Sequence, residues 1–333
     1  MRRSAGVALV TGGAGFIGSH VTDRLVHGND YEEVKVVDDL SSGILENLGS
    51  LSGNPKISFE RCDLTEGGFT LPEGCEVVYH LAANPDVRAG SDNPRIHFRQ
   101  NILATFNLLE AVRNSRTVQT IVFTSTSTVY GEATKIPTPE DYGPMIPISV
   151  YGASKLSAES LISAYASSYG VRAIIFRLAN VIGARSNHGI IPDFMKKLRS
   201  NPAELEILGD GTQNKSYVHI DDCVEGLLLP NLLSQKTPKV EIYNLGSEDQ
   251  IDVVKIADIV CAEAGLERVR YRYSPQTADG RGWAGDVKVM KLDVSKLKRA
   301  GWKIRMNSEQ AVRATARELL SPFFRPGGSM AAP

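Results

Sequence analysis

The sequence has little of what marks several classes of protein. Its 333 residues include only four cysteines, scattered without the C-x-x-C or Cys/His spacing of a zinc site or a disulfide framework. The formal net charge is -1, so neither nucleic acid nor a membrane surface is expected as a main partner. No apolar run approaches the roughly 20 residues of a membrane span, and residues 1–4 are not followed by the apolar core of a signal peptide. We therefore expect a cytoplasmic protein with reduced, packed thiols and no metal site.

What is present is the composition of an ordinary globular protein. Hydrophobic residues make up 42% of the chain and charged residues 23%. A chain of this length can bury a substantial core and can form two lobes around a cleft.

One stretch near the start combines a buried strand, three glycines and a helix. Residues 7–10 are apolar and β-branched, which predicts a strand, and the amphipathic run 16–27 predicts a helix. Gly12, Gly15 and Gly18 lie in the turn and the first helical turn. A strand that turns sharply into a helix directs free backbone N–H groups and the positive end of the helix dipole at one spot, which suits a pyrophosphate. Side chains at the glycine positions would block the close approach of backbone to ligand, so the stretch predicts a dinucleotide site.

Acidic residues follow the next two strands. A strand at residues 34–37 ends in Asp38, where the ribose-binding acid of a dinucleotide site is expected. An acid there accepts hydrogen bonds from the ribose hydroxyls and repels a 2′-phosphate, and no lysine or arginine stands in the loop 39–43. NAD is therefore favoured over NADP. Beyond a third strand, Asp63 either receives the adenine amino group or caps the next turn, since aspartate is a common turn residue.

A fourth strand and a long helix come next. The strand runs into Ala82 and Ala83, whose small side chains would let a cofactor lie close to the chain. Asn93 and Pro94 form a helix start, with a cap residue followed by proline at the first helical position. Apolar residues then repeat at spacings of three and four, which predicts one buried face. These residues are Phe98, Ile102, Phe106, Leu109 and Val112.

The rhythm of strands and helices predicts an α/β fold with a doubly wound parallel sheet (a Rossmann fold) and its site at the carboxyl ends of the strands. A smaller, discontinuous C-terminal lobe is expected to bind the substrate. We assign residues 1–177 to the NAD-binding Rossmann domain, to which 219–245 return, and residues 178–218 and 246–320 to the substrate-binding lobe. Residues 321–333 are rich in proline, glycine and alanine, which predicts a disordered tail.

Three segments together resemble the extended short-chain dehydrogenase/reductase family. They are residues 11–18 (TGGAGFIG), 124–131 (TSTSTVYG) and 151–155 (YGASK). Within that family the chain looks like the nucleotide-sugar 4-epimerases, the UDP-galactose 4-epimerase group, over nearly its whole length. The resemblance implies an NAD cofactor, a UDP-sugar substrate and a homodimer with a four-helix interface.

The resemblance also implies residue roles. The family's Y-x-x-x-K pair falls on Tyr151 and Lys155, and its catalytic hydroxyl falls on Thr126, with Ser125 and Ser127 as the alternatives that the hydroxyl run leaves open. The cofactor-binding set is Gly12, Gly15, Phe16, Ile17, Asp38, Asp39, Ser41, Ser42, Gly43, Asp63, Leu64, Leu81, Ala82, Ala83, Asn101, Thr124, Tyr151 and Lys155. The substrate-binding set is Thr126, Tyr151, Asn180, Arg185, Ile190, Lys215 and Asp286.

Some positions depart from the family pattern or leave the sugar open. Lys215 stands where the family usually has an arginine for the substrate phosphate, which keeps the charge and loses the bidentate fork. Trp283 replaces a second arginine expected just before a Gly-Asp pair. Met290 falls where the family admits or excludes an N-acetyl group, and a flexible methionine decides neither. Arg185 and His188 either meet a C6 carboxylate, as in UDP-glucuronate, or serve a phosphate or the loop itself.

The expected chemistry follows from the Tyr-Lys pair. A tyrosine with its usual pKa of about 10 needs roughly 4 kcal/mol of help to act as a base near pH 7. A lysine one helical turn away and the positive nicotinamide ring can supply that help. Tyr151 would take the proton of the sugar hydroxyl while C4 gives hydride to NAD, and Thr126 would hold the same oxygen. The 4-keto sugar would then turn and receive the hydride on its other face.

Other functions of this family are weighed at the same positions. Nucleotide-sugar 4,6-dehydratases carry an Asp-Glu pair where this chain has Ser127 and Thr128, and UDP-glucuronate decarboxylases usually carry a glutamate at the position of Thr128. A regulator that only senses NAD would lose the tyrosine, and Tyr151 is intact. The sequence therefore predicts a UDP-glucose/UDP-galactose 4-epimerase, with UDP-glucuronate and UDP-N-acetylglucosamine as the alternative substrates.

Overall fold

Strands and helices alternate along the first half of the chain and become shorter in the second. The computed structural model describes residues 6–229, 232–233 and 239–320. The strands are β1 (Val7–Thr11), β2 (Glu33–Asp38), β3 (Ile57–Arg61), β4 (Cys75–His80), β5 (Thr120–Thr126), β6 (Arg172–Leu178), β7 (Asn180–Ile182), β8 (Glu204–Leu208), β9 (Asn214–Lys215), β10 (Tyr217–His219), β11 (Val240–Leu245), β12 (Ile251–Asp252), β13 (Arg270–Ser274) and β14 (Val289–Met290). The helices are α1 (Phe16–His27), α2 (Ala89–Asp92), α3 (Pro94–His97), α4 (Ala104–Asn114), α5 (Val150–Tyr169), α6 (Ile190–Ser200), α7 (Ile220–Leu227), α8 (Val253–Glu263), α9 (Ser295–Arg299) and α10 (Ser308–Leu320).

Seven strands form one parallel sheet in the order β11-β6-β5-β4-β1-β2-β3. Side chains alternate between its two faces, so Ala8 and Val10 of β1 pack toward α1, whereas Leu9 packs toward α4 and α5. Helices on both faces and a reversal of strand order between β1 and β4 make this a doubly wound sheet, which confirms the predicted fold class. The carboxyl ends of β1 and β4 part at that reversal and open a crevice for a ligand.

The segment after Asn93 forms a helix, but its buried face is not the predicted one. Leu109 and Val112 are buried, while Phe98 is 57% and Phe106 is 40% exposed. The cause is a π-helical turn, Phe98–Leu103, between α3 and α4. A wider turn shifts the register of the side chains, which brings Asn101 inward and Phe98 outward. The prediction of one continuous apolar face was therefore wrong for the two phenylalanines.

Shorter elements form a second core beside the sheet. Side chains of α6, α8 and α10 pack together with those of β8, Leu205 and Ile207 among them. Small sheets join β7 with β10, β8 with β13, and β9 with β12 and β14. The segment expected to return to the first domain supplies β11, which pairs in parallel with β6. The division into domains itself stays a prediction.

Three expectations drawn from the composition concern membrane spans, the thiols and the C-terminal tail. No helix among the described residues is long and apolar enough to cross a membrane. All four cysteines are free, and burial raises the pKa of the Cys75 thiol to about 12, so this thiol is unreactive. The predicted disordered tail, residues 321–333, lies outside the described residues.

Candidate active site

The glycine turn between β1 and α1 packs so closely that side chains do not fit. A Cβ on Gly12 would lie 2.7 Å from the backbone nitrogen of Ala82, and one on Gly18 would lie 2.0 Å from the carbonyl oxygen of Gly12. Gly12 also has a φ of 69°, which favours glycine. Gly15 caps α1 without a side chain, so the N–H groups of the first helical turn stay available to a ligand. This cradle fits the pyrophosphate of a dinucleotide.

Asp38 ends β2 beside this turn. Its two carboxylate oxygens accept hydrogen bonds from the backbone N–H groups of Ala14 and Leu40, each at 2.9 Å. Burial raises the pKa of this carboxyl, and the two N–H donors oppose that rise. Each oxygen keeps a further lone pair, so the same carboxylate can also accept from ribose hydroxyls. Sequence reasoning missed Arg61, whose Nε donates to the carbonyl of Asp39 at 3.3 Å because β3 pairs with β2.

Asp63 performs the capping role that was one of its two alternatives. Its carboxylate accepts a hydrogen bond from the N–H of Thr65 at 2.8 Å and so caps the turn after β3. The residue also lines the cavity described next. A contact with adenine stays a prediction, and the second carboxylate oxygen is the atom that would make it.

One cavity of about 510 Å³ runs from the glycine turn, along the carboxyl ends of the strands, to β14. It contains all but two of the residues predicted to bind cofactor or substrate. The predicted residues in its lining are Gly12, Gly15, Phe16, Ile17, Asp38, Asp39, Ser41, Ser42, Gly43, Asp63, Leu64, Leu81, Ala82, Ala83, Thr124, Thr126, Tyr151, Lys155, Asn180, Ile190, Lys215 and Asp286. The two outside it are Asn101 and Arg185.

Asn101 lies behind the cavity wall. Its side chain accepts from the backbone N–H of Asn84 at 2.7 Å and donates to the hydroxyl of Ser154 at 2.9 Å. It thereby ties the loop after β4 to α5, one residue before Lys155. This position supports the wall through other residues and leaves Asn101 without direct access to a ligand.

Arg185 points away from the cavity toward α1. Its guanidinium pairs with the Asp23 carboxylate at 2.6 Å, and both side chains are about three quarters buried. The sequence places Arg185 in the loop after β7 but gives no sign of a partner that is far away along the chain. Its prediction as a substrate residue therefore finds no support in the geometry. His188 of the same loop does line the cavity, and burial lowers its pKa, so its imidazole is neutral at pH 7.

Tyr151 and Lys155 project from the first turns of α5. Ser149 caps that helix by accepting from the N–H of Gly152 at 3.0 Å, which fixes where the helix begins. Burial raises the pKa of Tyr151 to about 12, and a hydrogen bond with the Thr126 side chain opposes the rise. Burial lowers the pKa of Lys155 to about 7, and the nearby Glu159 opposes that fall.

The hydroxyl residues at the end of β5 and just beyond it have different contacts. Thr126 is the member whose side chain lowers the pKa of Tyr151, and its Oγ1 lies 3.1 Å from that of Thr128. The Ser125 hydroxyl instead donates to Glu159. Of the three candidates, Thr126 therefore has the position from which it can share a substrate oxygen with Tyr151.

A buried ion pair under α5 was missed at the sequence level. Arg177 of β6 holds the Glu159 carboxylate, with Nη2 at 2.7 Å from Oε2, and both side chains are at least 95% buried. Glu159 stands four residues after Lys155, so the two share one face of the helix. That spacing was the available signal. The pair anchors α5 to the sheet one helical turn from Lys155.

A second buried chain of hydrogen bonds connects β1 with α4. The Thr105 hydroxyl donates to the carbonyl of Asn101 at 2.6 Å, so it accepts from Nε2 of His80 at 2.9 Å. Nδ1 of His80 is then an acceptor for the hydroxyl of Thr11 at 2.8 Å. Burial lowers the pKa of His80 to about 3, so the imidazole is neutral in this chain.

The far wall of the cavity comes from the second half of the chain. Lys215 and Met290 are neighbours because β9 pairs with β14, and both line the cavity. The Asn180 side chain donates to the carbonyl of Ser216 at 3.0 Å, which leaves its amide oxygen for a ligand. Lys215 pairs with the buried carboxylate of Asp286 at 2.6 Å.

Comparison with known proteins gives consistent matches. The model of the NAD dependent epimerase/dehydratase family matches residues 8–246. The UDP-glucose 4-epimerase of Corynebacterium glutamicum is 32% identical over 289 residues, which cover 81% of this chain and 84% of that protein. A crystal structure of a UDP-galactose 4-epimerase is 42% identical, with a TM-score of 0.82 and coverage of 96% of this chain and 100% of that one. The UDP-glucuronic acid 4-epimerase of Bacillus cereus, in complex with UDP-glucuronic acid and NAD, is 28% identical, with a TM-score of 0.82 and coverage of 95% and 100%.

Proposed function

The chain belongs to the NAD dependent epimerase/dehydratase family, and from that premise we propose that it inverts C4 of a UDP-hexose of the UDP-glucose/UDP-galactose type. The observation that carries the proposal is that Thr126, Tyr151 and Lys155 line the same cavity as the glycine turn, with Tyr151 and Lys155 one helical turn apart on α5. The glycine turn and Asp38 would hold NAD, the cofactor of the family, which would supply the hydride acceptor and donor for the substrate carbon. The residues of this chain bind, orient and move protons around that exchange.

Tyr151 is the residue placed to take and return the proton of the 4-hydroxyl. Because burial holds its pKa at about 12, ionising it at pH 7 costs on the order of 7 kcal/mol. The tyrosine is therefore neutral at rest, and positive charge must gather around it before it can act as a base. Thr126 holds the shared oxygen and passes the proton between sugar and phenol.

Lys155 supplies part of that positive charge. Its pKa of about 7 makes it roughly half protonated near neutral pH, so a small change in its surroundings decides its state. A negative phenolate on Tyr151 favours the protonated lysine, and Glu159 favours it as well. Charging of the lysine and ionisation of the tyrosine therefore support each other.

The positions after Thr126 favour epimerisation over elimination. Ser127 and Thr128 occupy them, and the Thr128 hydroxyl contacts Thr126. Neither residue can act as the carboxylic acid or carboxylate that loss of water or of CO2 would use. The lining therefore supports removal and return of hydride without a further bond cleavage.

The choice of a neutral hexose rests on the two residues that were expected to meet a C6 carboxylate, Arg185 and His188. Arg185 is held by Asp23, and His188 is neutral at pH 7. These two residues were the predicted partners of a C6 carboxylate, and neither offers a free positive charge. Met290 leaves the N-acetyl group undecided, so UDP-N-acetylglucosamine belongs in the substrate panel.

We also propose that the functional unit is a homodimer. Phe106 contacts the ring of Tyr165 at 6.5 Å between centroids, and Tyr165 contacts that of Tyr169 at 5.1 Å, so aromatic rings join α4 and α5 on the outside. Phe106 is 40% and Tyr169 is 52% exposed. A second copy of the chain would cover this apolar surface. Sedimentation that shows only monomer at micromolar concentration would contradict the dimer.

The activity is tested on a panel of sugars with the purified holoenzyme. UDP-glucose, UDP-galactose, UDP-glucuronate and UDP-N-acetylglucosamine are each incubated, and the 4-epimer is measured in every case. We expect interconversion of UDP-glucose and UDP-galactose, and at least tenfold lower kcat/KM for UDP-glucuronate. Turnover of none of the four, by a protein that retains NAD, would overturn the proposal.

A further inference from the structure

Positive side chains are scarce in the cavity. Within the described part of the chain, lysine and arginine reach its lining at three positions, Arg88, Lys155 and Lys215. A substrate diphosphate carries two negative charges and needs cationic or N–H donors. Lys155 lies beside Tyr151 in the catalytic part of the site, which leaves Arg88 and Lys215 for the diphosphate.

The ammonium group of Lys215 is already paired with a carboxylate. Its ammonium lies 2.6 Å from Oδ1 of Asp286, a side chain that is 98% buried. The other oxygen of that carboxylate has no hydrogen-bond partner among the described residues, so Asp286 depends on Lys215 for its neutralisation. Lys215 alone therefore brings little net positive charge to a diphosphate.

Arg88 is differently placed. It belongs to the loop after β4, its side chain is 55% exposed, and its carboxylate partner, Asp86, is itself half-exposed at 3.7 Å. An exposed ion pair of that length is weak. The guanidinium lies 6.0 Å from the centre of the Trp283 ring, and the Lys215 ammonium lies 5.6 Å from the same centre. One indole thus brings together cations from two walls of the cavity.

We propose that Arg88, seated against Trp283, supplies the second cation that binds the substrate diphosphate, beside Lys215. This assignment rests on the proposed UDP-sugar substrate. An aromatic face attracts a guanidinium without neutralising it, whereas an acidic residue at the same place would consume its charge. Trp283 therefore positions Arg88 and leaves its donors for the phosphate oxygens.

Two other arginines, Arg281 and Arg185, are already engaged in ion pairs. Arg281, two residues before Trp283, contacts Glu132 and Asp279 at 2.6 Å each. It also donates to the carbonyl of Asp286. Arg185 is held by Asp23. Neither can replace Arg88 without losing a short ion pair.

The test measures the binding of UDP and of uridine to the holoenzyme by calorimetry. Arg88→Gln should weaken UDP binding by on the order of ten- to a hundredfold, because a charge-assisted contact is lost, and should leave uridine binding within about twofold. Arg99→Gln is the matched control, since Arg99 is 52% exposed and pairs with Glu66 outside the cavity lining. That variant should bind both ligands as the wild type does.

A double-mutant cycle tests the part played by Trp283. Trp283→Leu should weaken UDP binding in the wild type and have little further effect in Arg88→Gln, because the ring acts through the arginine. Equal losses in both backgrounds would show that Trp283 does not act through Arg88 and would overturn this part of the assignment.

Other outcomes are equally decisive. Unchanged UDP affinity in Arg88→Gln, or equal losses for UDP and uridine, overturns the assignment. Unchanged UDP affinity with a raised KM for UDP-glucuronate overturns it in favour of a sugar carboxylate. A wild-type protein that does not bind UDP removes both the assignment and the proposed function. Arg88-dependent UDP binding without epimerisation of any sugar supports the assignment and removes only the proposed function.

Discussion

The two ends of the cavity are built from different materials. At the glycine turn the ligand surface is mainly backbone, because side chains do not fit there, and the Asp38 carboxylate is fixed by two backbone N–H groups. At the other end the surface consists of buried ionisable side chains, with the pKa of Tyr151 raised and that of Lys155 lowered. The first end needs space and dipoles, which do not respond to pH. The second end depends on charges that respond to pH and to whatever is bound nearby.

Tyr151→Phe should have the largest effect, because it should abolish most of the turnover while leaving NAD binding unchanged. It removes one oxygen at the chemical end and keeps the ring, so NAD content and folding should be unchanged. Turnover should fall 10²–10⁴-fold, the usual contribution of a positioned acid–base group. Coupled assays of turnover and measurement of NAD released by denaturation check this. Wild-type turnover in this variant would place the base elsewhere.

Gly18→Ala should damage the other end. The added Cβ would lie 2.0 Å from the Gly12 carbonyl oxygen, so the backbone must shift. We expect a loss of about 1–3 kcal/mol in the free energy of unfolding, and loss of bound NAD. Thermal melts and NAD content measure the two effects. Gly49→Ala is the control, since a Cβ there meets nothing within 4 Å, and equal losses in both variants would refute the close-packing argument.

Lys155→Met should change how stability depends on pH. An unfolded lysine keeps its proton to about pH 10.5, whereas buried Lys155 releases it near pH 7, so the unfolded chain binds more protons between these values. Stability therefore rises with pH in that window, by at most about 1.4 kcal/mol per pH unit from this group, and the rise should be absent in Lys155→Met. Denaturant titrations of wild type and variant from pH 7.5 to 9.5 measure the difference. If the free energy of unfolding depended on pH in the same way in the wild type and the variant, the pKa of Lys155 would not be lowered in the folded protein.

Thr126→Ala should cost less than the tyrosine substitution. It removes one hydrogen bond to the shared oxygen, worth about 1 kcal/mol, so turnover should fall by roughly five- to tenfold. Thr126→Ser keeps the hydroxyl and should be nearly silent. Steady-state kinetics of both variants check the pair, and a strong loss in the serine variant would point to packing by the methyl group instead.

The smallest effect is expected for the choice of cofactor. Asp38→Asn keeps one acceptor for the turn and removes the charge that repels a 2′-phosphate, and Arg61 lies beside the same loop. The ratio of NADP to NAD affinity should therefore rise by a few fold. Adding Arg61→Gln should reverse that rise, as competitive binding would show. An unchanged ratio in Asp38→Asn would show that the carboxylate does not set the preference.

The same contrast explains which parts of the site were predictable from the sequence. Gly12, Gly15 and Gly18 stand within seven residues, and Asp38 follows the next strand, so local pattern and strand order locate the cofactor end. The pairing of Lys215 with Asp286 joins residues 71 apart in the sequence. Such contacts depend on how the short strands of the second half pair, which periodicity does not reveal. The ion pair between Arg185 and Asp23 could not be predicted for the same reason.

The register of side chains within a helix also limited what could be predicted from the sequence. Spacing at three and four predicted that Phe98 and Phe106 are buried, but the π-helical turn moves them outward. No glycine or proline within residues 98–103 marks that turn. Asn101 in that turn and Thr105 just after it make buried hydrogen bonds, and these are polar residues that an apolar pattern ignores.

The hydrogen bonds around His80 determine whether a proton can be transferred through this residue. Each hydrogen bond in the series from Thr11 through His80 to Thr105 is donated in one direction only, because the Thr105 hydroxyl donates to the carbonyl of Asn101. That carbonyl oxygen cannot pass a proton on. An imidazole whose pKa is about 3 does not accept a proton between pH 5 and 8. His80 therefore does not conduct protons, and a proton released by a substrate at Tyr151 has no route into the protein interior through this imidazole.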